Sequence, residues 1–278
     1  MSAGNDVFVI RRILVAVDAT PTSSVVLEMA ALLAREFDAE LDGVFVEDIN
    51  LLHLAGLPFA RELTWSTAME LHLDYARMER ALRGHAAHAR QAVVNVTTQL
   101  KLHASLRIVR GQVARELLRA AQGVDLVILG KGGGTREANI GAIARQVAQK
   151  SDCSVLLVVK DGRSSKSVMA VFAGDASSLR LLNAAARLAR AVHKTLLILI
   201  PAATTMDYQR LRELSRQALG GGPLLVTYQA VTTLEACLSP RLLHDEGVGT
   251  VVLSGTATDT DVMETRLAGL ACSVLLVR

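Results

Sequence analysis
One feature limits this chain more than any other: it repeats itself. Cys153-Ser-Val-Leu-Leu-Val158 returns as Cys272-Ser-Val-Leu-Leu-Val277. Near the start, Ile13-Leu-Val-Ala-Val17 followed by Ala30-Ala-Leu-Leu-Ala-Arg35 parallels Val168-Met-Ala-Val-Phe172 followed by Ala185-Ala-Arg-Leu-Ala-Arg190, with the strand-to-helix distance kept. Two agreements in the same order, one at each end of a unit, predict a tandem duplication. The expected units are 8–161 and 166–278, joined by the small, polar Asp161–Ser167 stretch. A chain of 278 residues is long enough for two such cores.

Within the first unit, short apolar runs alternate with helical stripes. Ile13–Val17, Leu41–Val46, Ser105–Val109, Leu126–Leu129 and Val155–Val159 read as strands covered on both faces. Val26, Leu27, Ala30, Leu33, Ala34 and Phe37 share one helical stripe, with Pro21 at a first helical position after a Thr cap. Asn50–Thr64 reads as a long connection without periodicity, Ser66–Leu102 as one long helix, and Val113–Gln122 and Gly141–Lys150 as two shorter ones. In the second unit Val168–Phe172, Leu196–Ile200, Leu224–Tyr228, Thr250–Leu253 and Ser273–Val277 supply matching strands, and Tyr208–Leu219 is what remains of the long helix. Strand and helix alternating in this way predict two tandem doubly wound, parallel, five-stranded α/β sheets. Aromatics make up only 3% of the chain, so both cores must be aliphatic.

Chemistry is expected where Leu126-Val-Ile-Leu-Gly-Lys-Gly-Gly-Gly leaves a strand and feeds the helix that starts at Gly141. Unpaired N–H groups and the helix dipole favour an anion there. Lys131 and Arg136 are cations within reach of a phosphate, or solvated loop residues. The spacing is not that of a Walker loop, because Gly132 stands where a magnesium-binding hydroxyl is needed. Asp18 either grips a ligand or holds its own turn. In the second unit Ser254-Gly-Thr-Ala replaces the glycine run, two Asp follow at 259 and 261, and Ala173 replaces Asp18, so no nucleotide is expected there.

These residues resemble the universal stress protein family in its tandem-domain form. Nucleotide-binding members carry an Asp after the first strand and G-x2-G-x9-G-S/T after the fourth, ahead of a V-L-L-V-like terminal run. Asp18, Gly130, Gly133, Gly141 and Val155–Val159 fall into that pattern. The resemblance implies a Rossmann-like, adenine nucleotide alpha hydrolase-like fold and a dimeric, cytoplasmic stress-response protein. It implies ATP, ADP or AMP in the first unit only, with Asp18, Ala19 and Val46 at the adenosine and Gly130, Lys131, Gly133, Gly141 and Ala142 at the phosphates. Two departures weaken the phosphate end: seven residues separate Gly133 from Gly141, and Ala142 replaces the hydroxyl. A nucleotide-free dimeric scaffold, with the 50–64 loop and the long helix as its partner surface, is the alternative reading.

Other classes of function find little support. A net charge of +3, evenly spread, gives no nucleic-acid footprint. No apolar run reaches the length of a membrane span, and no targeting pattern opens the chain. Three cysteines without a C-x-x-C pair suit a reducing compartment, with Cys153 and Cys272 as small buried hydrophobes. His85 and His88 share a helix face but lack a third ligand. Leu51, Leu52, Leu57 and Trp65 around the long connection either cover a ligand, meet a partner or, as expected here, pack on the protein's own surface. No catalytic set is legible, and slow ATP hydrolysis would need a positioned water and a metal.

Overall fold
A computed structural model of the chain describes residues 8–18, 20, 22–57, 61–64, 69–72, 75–132, 140–160, 165–220, 222–232, 236–255 and 270–278, with backbone alone for 61–64 and 69–72. Its first half runs β1 (Arg12–Val17), α1 (Ser23–Phe37), β2 (Glu40–Asp48), α2 (Ile49–Ala55), β3 (Arg61–Thr64), β4 (Met69–His72), α3 (Tyr75–Leu100), β5 (Ala104–Gly111), α4 (Val113–Ala120), β6 (Leu126–Gly130), α5 (Ala142–Lys150) and β7 (Ser154–Val158). The second half runs β8 (Ser167–Val171), α6 (Ala176–Ala191), β9 (Thr195–Pro201), α7 (Thr205–Leu219), β10 (Val226–Val231), α8 (Pro240–Asp245), β11 (Val248–Ser254) and β12 (Ser273–Val277).

Ten strands form one sheet in the order β10-β9-β8-β11-β12-β7-β6-β1-β2-β5. Each half keeps five parallel strands in the same spatial order, third-second-first-fourth-fifth. The two five-stranded sheets do not stand apart, because β7 and β12 pair antiparallel and fuse them. That pairing is centred where Leu156 faces Leu275, the same position of the repeated Cys-Ser-Val-Leu-Leu-Val run. Its ends match as well. The Val159 N–H donates to Ser273 Oγ and the Arg278 N–H to Ser154 Oγ, both at 3.1 Å. A strand meeting its equivalent in this way makes a self-complementary contact, the local geometry of a twofold interface.

Helices cover both faces. One aliphatic layer joins α1, α3 and α6 to one side of the sheet through Val26, Ala30, Ala89, Leu182 and Ala185. The other holds α4, α5 and α8 through Leu117, Val147 and Leu243. The central strands are buried on both faces, which is why they read as unbroken apolar runs.

The structure revises several expected elements. Asn50–Thr64 is not featureless: Asp48 accepts from the Asn50 N–H and starts α2, with Leu52 and Ala55 buried one turn apart. The long helix begins at Tyr75, not Ser66. Met69–His72 instead pairs antiparallel with Arg61–Thr64, in keeping with its apolar-polar alternation Met-Glu-Leu-His. Thr22 occupies the α1 cap position without a side-chain bond; the turn is held through Asp18, Thr20 and Ser23 instead. Pro21 lies outside the described residues. The third strand of the second half is Val226–Val231, shifted toward the chain end from Leu224–Tyr228. The Ser239-Pro240 helix α8 had a cap-and-proline signal that the periodicity reading passed over.

Candidate functional site
In the first half the chain turns from β1 to β2 on one side and crosses to β6 on the other, so the carboxyl ends of β1 and β6 flank a topological switch point. Asp18 follows β1 directly and is exposed. Its Oδ1 accepts from the Thr20 N–H at 3.0 Å and from the Thr20 hydroxyl at 2.6 Å, an Asx turn closed by the Asp18 N–H donating to Ser23 Oγ at 3.2 Å. Gly130 ends β6 across the cleft. A Cβ there would meet only the Thr22 methyl, at 3.7 Å, so the space above it is open within the described structure. Val46, half-buried near the end of β2, lies at the same edge of the sheet.

Three expected phosphate ligands look different in three dimensions. The Gly141 N–H, at the cap of α5, donates to the Lys131 carbonyl at 2.8 Å and closes the base of the loop. The Lys131 N–H donates to the Val158 carbonyl at 2.8 Å, extending the sheet ladder. Lys131 does not serve as a solvent-facing cation: its side chain is 0% exposed and its Nζ donates to the Leu270 carbonyl in the second half. Burial lowers the affinity of that ammonium for its proton, an effect slightly offset by the nearby Cys272. The Cys272 thiol is itself pushed up to about 11 by burial. Ala142, the first residue of α5, is exposed and offers no hydroxyl. Ala19, Gly133 and Arg136 lie outside the described residues.

Of the residues expected to hold a ligand, Asp18, Val46 and Gly130 therefore share one edge of the sheet, whereas the Gly141 amide and the Lys131 ammonium are engaged by the protein's own carbonyls.

Residues that sequence reasoning passed over cluster at the junction. The Arg278 guanidinium donates to three carbonyls: Gly255 at 3.2 Å, Cys153 at 3.1 Å, and Ala148 in the last turn of α5. A cation at a helix carboxyl end is favourable. Lys131 reaches from the first half into the second and Arg278 from the second into the first. The repeated serines of Cys-Ser-Val-Leu-Leu-Val were the available signal for the junction; nothing local signalled Lys131. Cys153 is half-buried beside Ser151 Oγ at 3.1 Å, and burial raises its pKa too. His85 and His88 are exposed on α3, where His88 Nδ1 contacts the Gly84 carbonyl. Leu52 is buried, Leu51 and Leu57 are exposed, and Trp65 lies outside the described residues. Ser254 ends β11 as Gly130 ends β6, and just beyond them the Gly255 N–H donates to the Val277 carbonyl as the Lys131 N–H does to that of Val158.

A polar groove of about 980 Å³ runs between α4 and α5, lined by Asp48, Gln112, Arg115, Arg119, Gln146 and Lys150 among others. Among the described residues no helix is long and apolar enough to cross a membrane, and no three His, Cys, Asp or Glu side chains are placed to hold a metal ion.

Comparison with known proteins agrees with this architecture. The model of the universal stress protein family matches residues 10–159, more than half of the chain. A curated universal stress protein from Methanocaldococcus jannaschii is 25% identical over 154 residues, 54% of this chain and 82% of that protein. The crystal structure of a universal stress protein from Archaeoglobus fulgidus covers 98% of both chains with a TM-score of 0.62 at 15% identity. A functionally unknown protein from Pseudomonas aeruginosa covers 99% of this chain and 94% of its own with a TM-score of 0.58 at 16% identity. At such identities the structural likeness is one of fold. The fold follows from the strand order and the family from the matched first half: the chain belongs to the universal stress protein family.

Proposed function
We propose that this chain is a non-catalytic, cytoplasmic stress-response binding protein, built from a duplicated unit (8–161 and 166–278), whose first unit seats the nucleoside part of an adenine nucleotide and takes little from its phosphates. One observation supports this reading: the Gly141 amide and the Lys131 ammonium are engaged internally, while the exposed Asp18 and the uncrowded Gly130 stand at the ends of the two strands that flank the switch point. Asp18 would accept from a ribose hydroxyl or the adenine edge through the oxygen not held by Thr20, and Val46 would lie along the base. With the Lys131 ammonium and the Gly141 amide held by the protein's own carbonyls, no hydrolytic step is assigned.

Isothermal titration with adenosine, AMP, ADP and ATP tests the proposal. The expected dissociation constants agree within about threefold across the series, since each fully used phosphate contact would add on the order of tenfold. ATP binding tenfold or more tightly than adenosine would overturn the nucleoside-only reading. Silence with all four compounds would favour the second reading, a nucleotide-free scaffold, which draws on the Asp18 carboxylate being part of its own turn.

A further inference from the structure
Asp18, Val46 and Gly130 are absent from the walls of the polar groove between α4 and α5, so the nucleoside reading gives that groove no task. The walls are two facing helical stripes. Arg115 and Arg119 stand about one turn apart on α4, as Gln146 and Lys150 do on α5. Like charges at the spacing of Arg115 and Arg119 destabilise a helix. Arg119 meets Glu116 at 3.3 Å, whereas no described residue forms a hydrogen bond or ion pair with the Arg115 or Lys150 side chain. The acids of the groove lie at its ends, Asp48 at the carboxyl end of β2 and Asp152 just ahead of β7. Its middle is therefore cationic.

Donor type and spacing narrow the occupant. Asn50, Gln112, Gln122 and Gln146 also line the groove, and each carboxamide offers N–H and C=O together, the pair that a peptide unit presents. A phosphate chain carries acceptors alone and would leave the carboxamide oxygens unmatched. A volume of about 980 Å³ also suits a ligand of many atoms, not a single small anion. Arg115 and Arg119, four residues apart, are separated by about 6 Å along the helix axis. Alternate residues of an extended chain project to one side about 6.6 Å apart, so the two spacings match. The eight residues of α4 span about 12 Å, a length that about four extended residues cover.

We propose that the α4–α5 groove docks an extended acidic segment of a partner protein, with carboxylates at alternate positions. Those carboxylates meet the Arg115 and Arg119 guanidiniums, and Lys150 adds positive charge from the α5 wall. The carboxamides pair with the backbone of the segment. Asp48 and Asp152 repel any acid that extends past the ends, which limits the acidic stretch to about four residues.

Fluorescence anisotropy of the full chain with a labelled synthetic peptide, Gly-Ser-Glu-Val-Glu-Ser-Gly, reads the docking directly. At low salt the expected dissociation constant is on the order of 10–100 μM, that of a small charged interface. A peptide whose two glutamates are adjacent points them to opposite sides and binds about fivefold more weakly. Arg115→Gln and Arg119→Gln each weaken the first peptide about five- to tenfold. Arg210→Gln removes the same charge from an exposed site on α7 and changes nothing. Carbodiimide coupling of the peptide to the unaltered protein gives a readout that does not depend on variants folding. Mass mapping should place the adduct on Lys150 in preference to the equally exposed Lys101 and Lys166. No binding at about 1 mM peptide would overturn the proposal. So would equal affinity for a peptide with glutamine in place of both glutamates, indifference to both arginine substitutions, or an adduct spread evenly over those lysines. Tripolyphosphate or a single-stranded oligonucleotide displacing the peptide at lower concentrations than the unlabelled peptide does would also overturn it, and would mark the groove as a general anion site.

Discussion

At the scale of single residues, Lys131 shows how far a side chain's role depends on what lies opposite it. In the sequence it sits in a glycine loop, where cations commonly face ligands. In the fold its ammonium is buried and bonded to the Leu270 carbonyl. Its proton affinity in the folded protein is below the ordinary value of 10.5, so between the folded value and 10.5 the unfolded chain binds more protons. Stability contributed by this group therefore rises with pH across that window and is lost as pH falls. Lys131→Met removes the titration. The expected outcome is that the unfolding free energy of the native protein gains on that of the variant as urea melts are taken from about pH 7 towards about pH 10. A difference that stays flat would mean the ammonium is solvated in the folded state.

At the scale of elements, the strands and most helices were legible because burial on both faces writes unbroken apolar runs, and one-sided cover writes stripes. The region from 49 to 74 was misread for a physical reason. A short capped helix and two four-residue strands are too short to write a sustained period on their residues. Caps are local and carry further. Asp175 accepts from the Ser178 N–H at 2.7 Å while Ser178 Oγ accepts from the Asp175 N–H, a reciprocal box that starts α6 just after Gly174 at φ +85°. Asp175→Ala should cost about 1 kcal/mol at neutral pH. Hydrogen bonds from Ser178, first through its side chain and then through its backbone, hold the Asp175 carboxyl below its ordinary 3.8. The stabilisation is present above that ordinary value and lost as pH falls through the folded one. Melts of the native and variant proteins should therefore converge in strong acid; a gap that persists there would assign the effect to packing.

At the scale of the whole molecule, the halves share one sheet, and their junction is fully buried: Val155, Leu156 and Val274 are closed to solvent. Lys131 and Arg278 each cross it to bond carbonyls on the far side. Scanning calorimetry should record one unfolding transition, not two. Leu275→Asp, which puts a carboxylate opposite Leu156, should cost about 3 kcal/mol or more or split the transition. Two well-separated peaks in the unaltered protein would show the junction to be weak. The amino-acid sequence by itself determined the doubled strand-and-helix order, the aliphatic cores and the loop that carries Gly130 and Gly141, because these rest on local periodicity and turn chemistry. Only the tertiary structure decided that the fifth strands pair antiparallel, that Lys131 turns inward, and that the Gly141 amide closes its own loop. Each of those outcomes depends on which edge, carbonyl or cavity comes to lie nearby from far along the chain, and local pattern does not encode that.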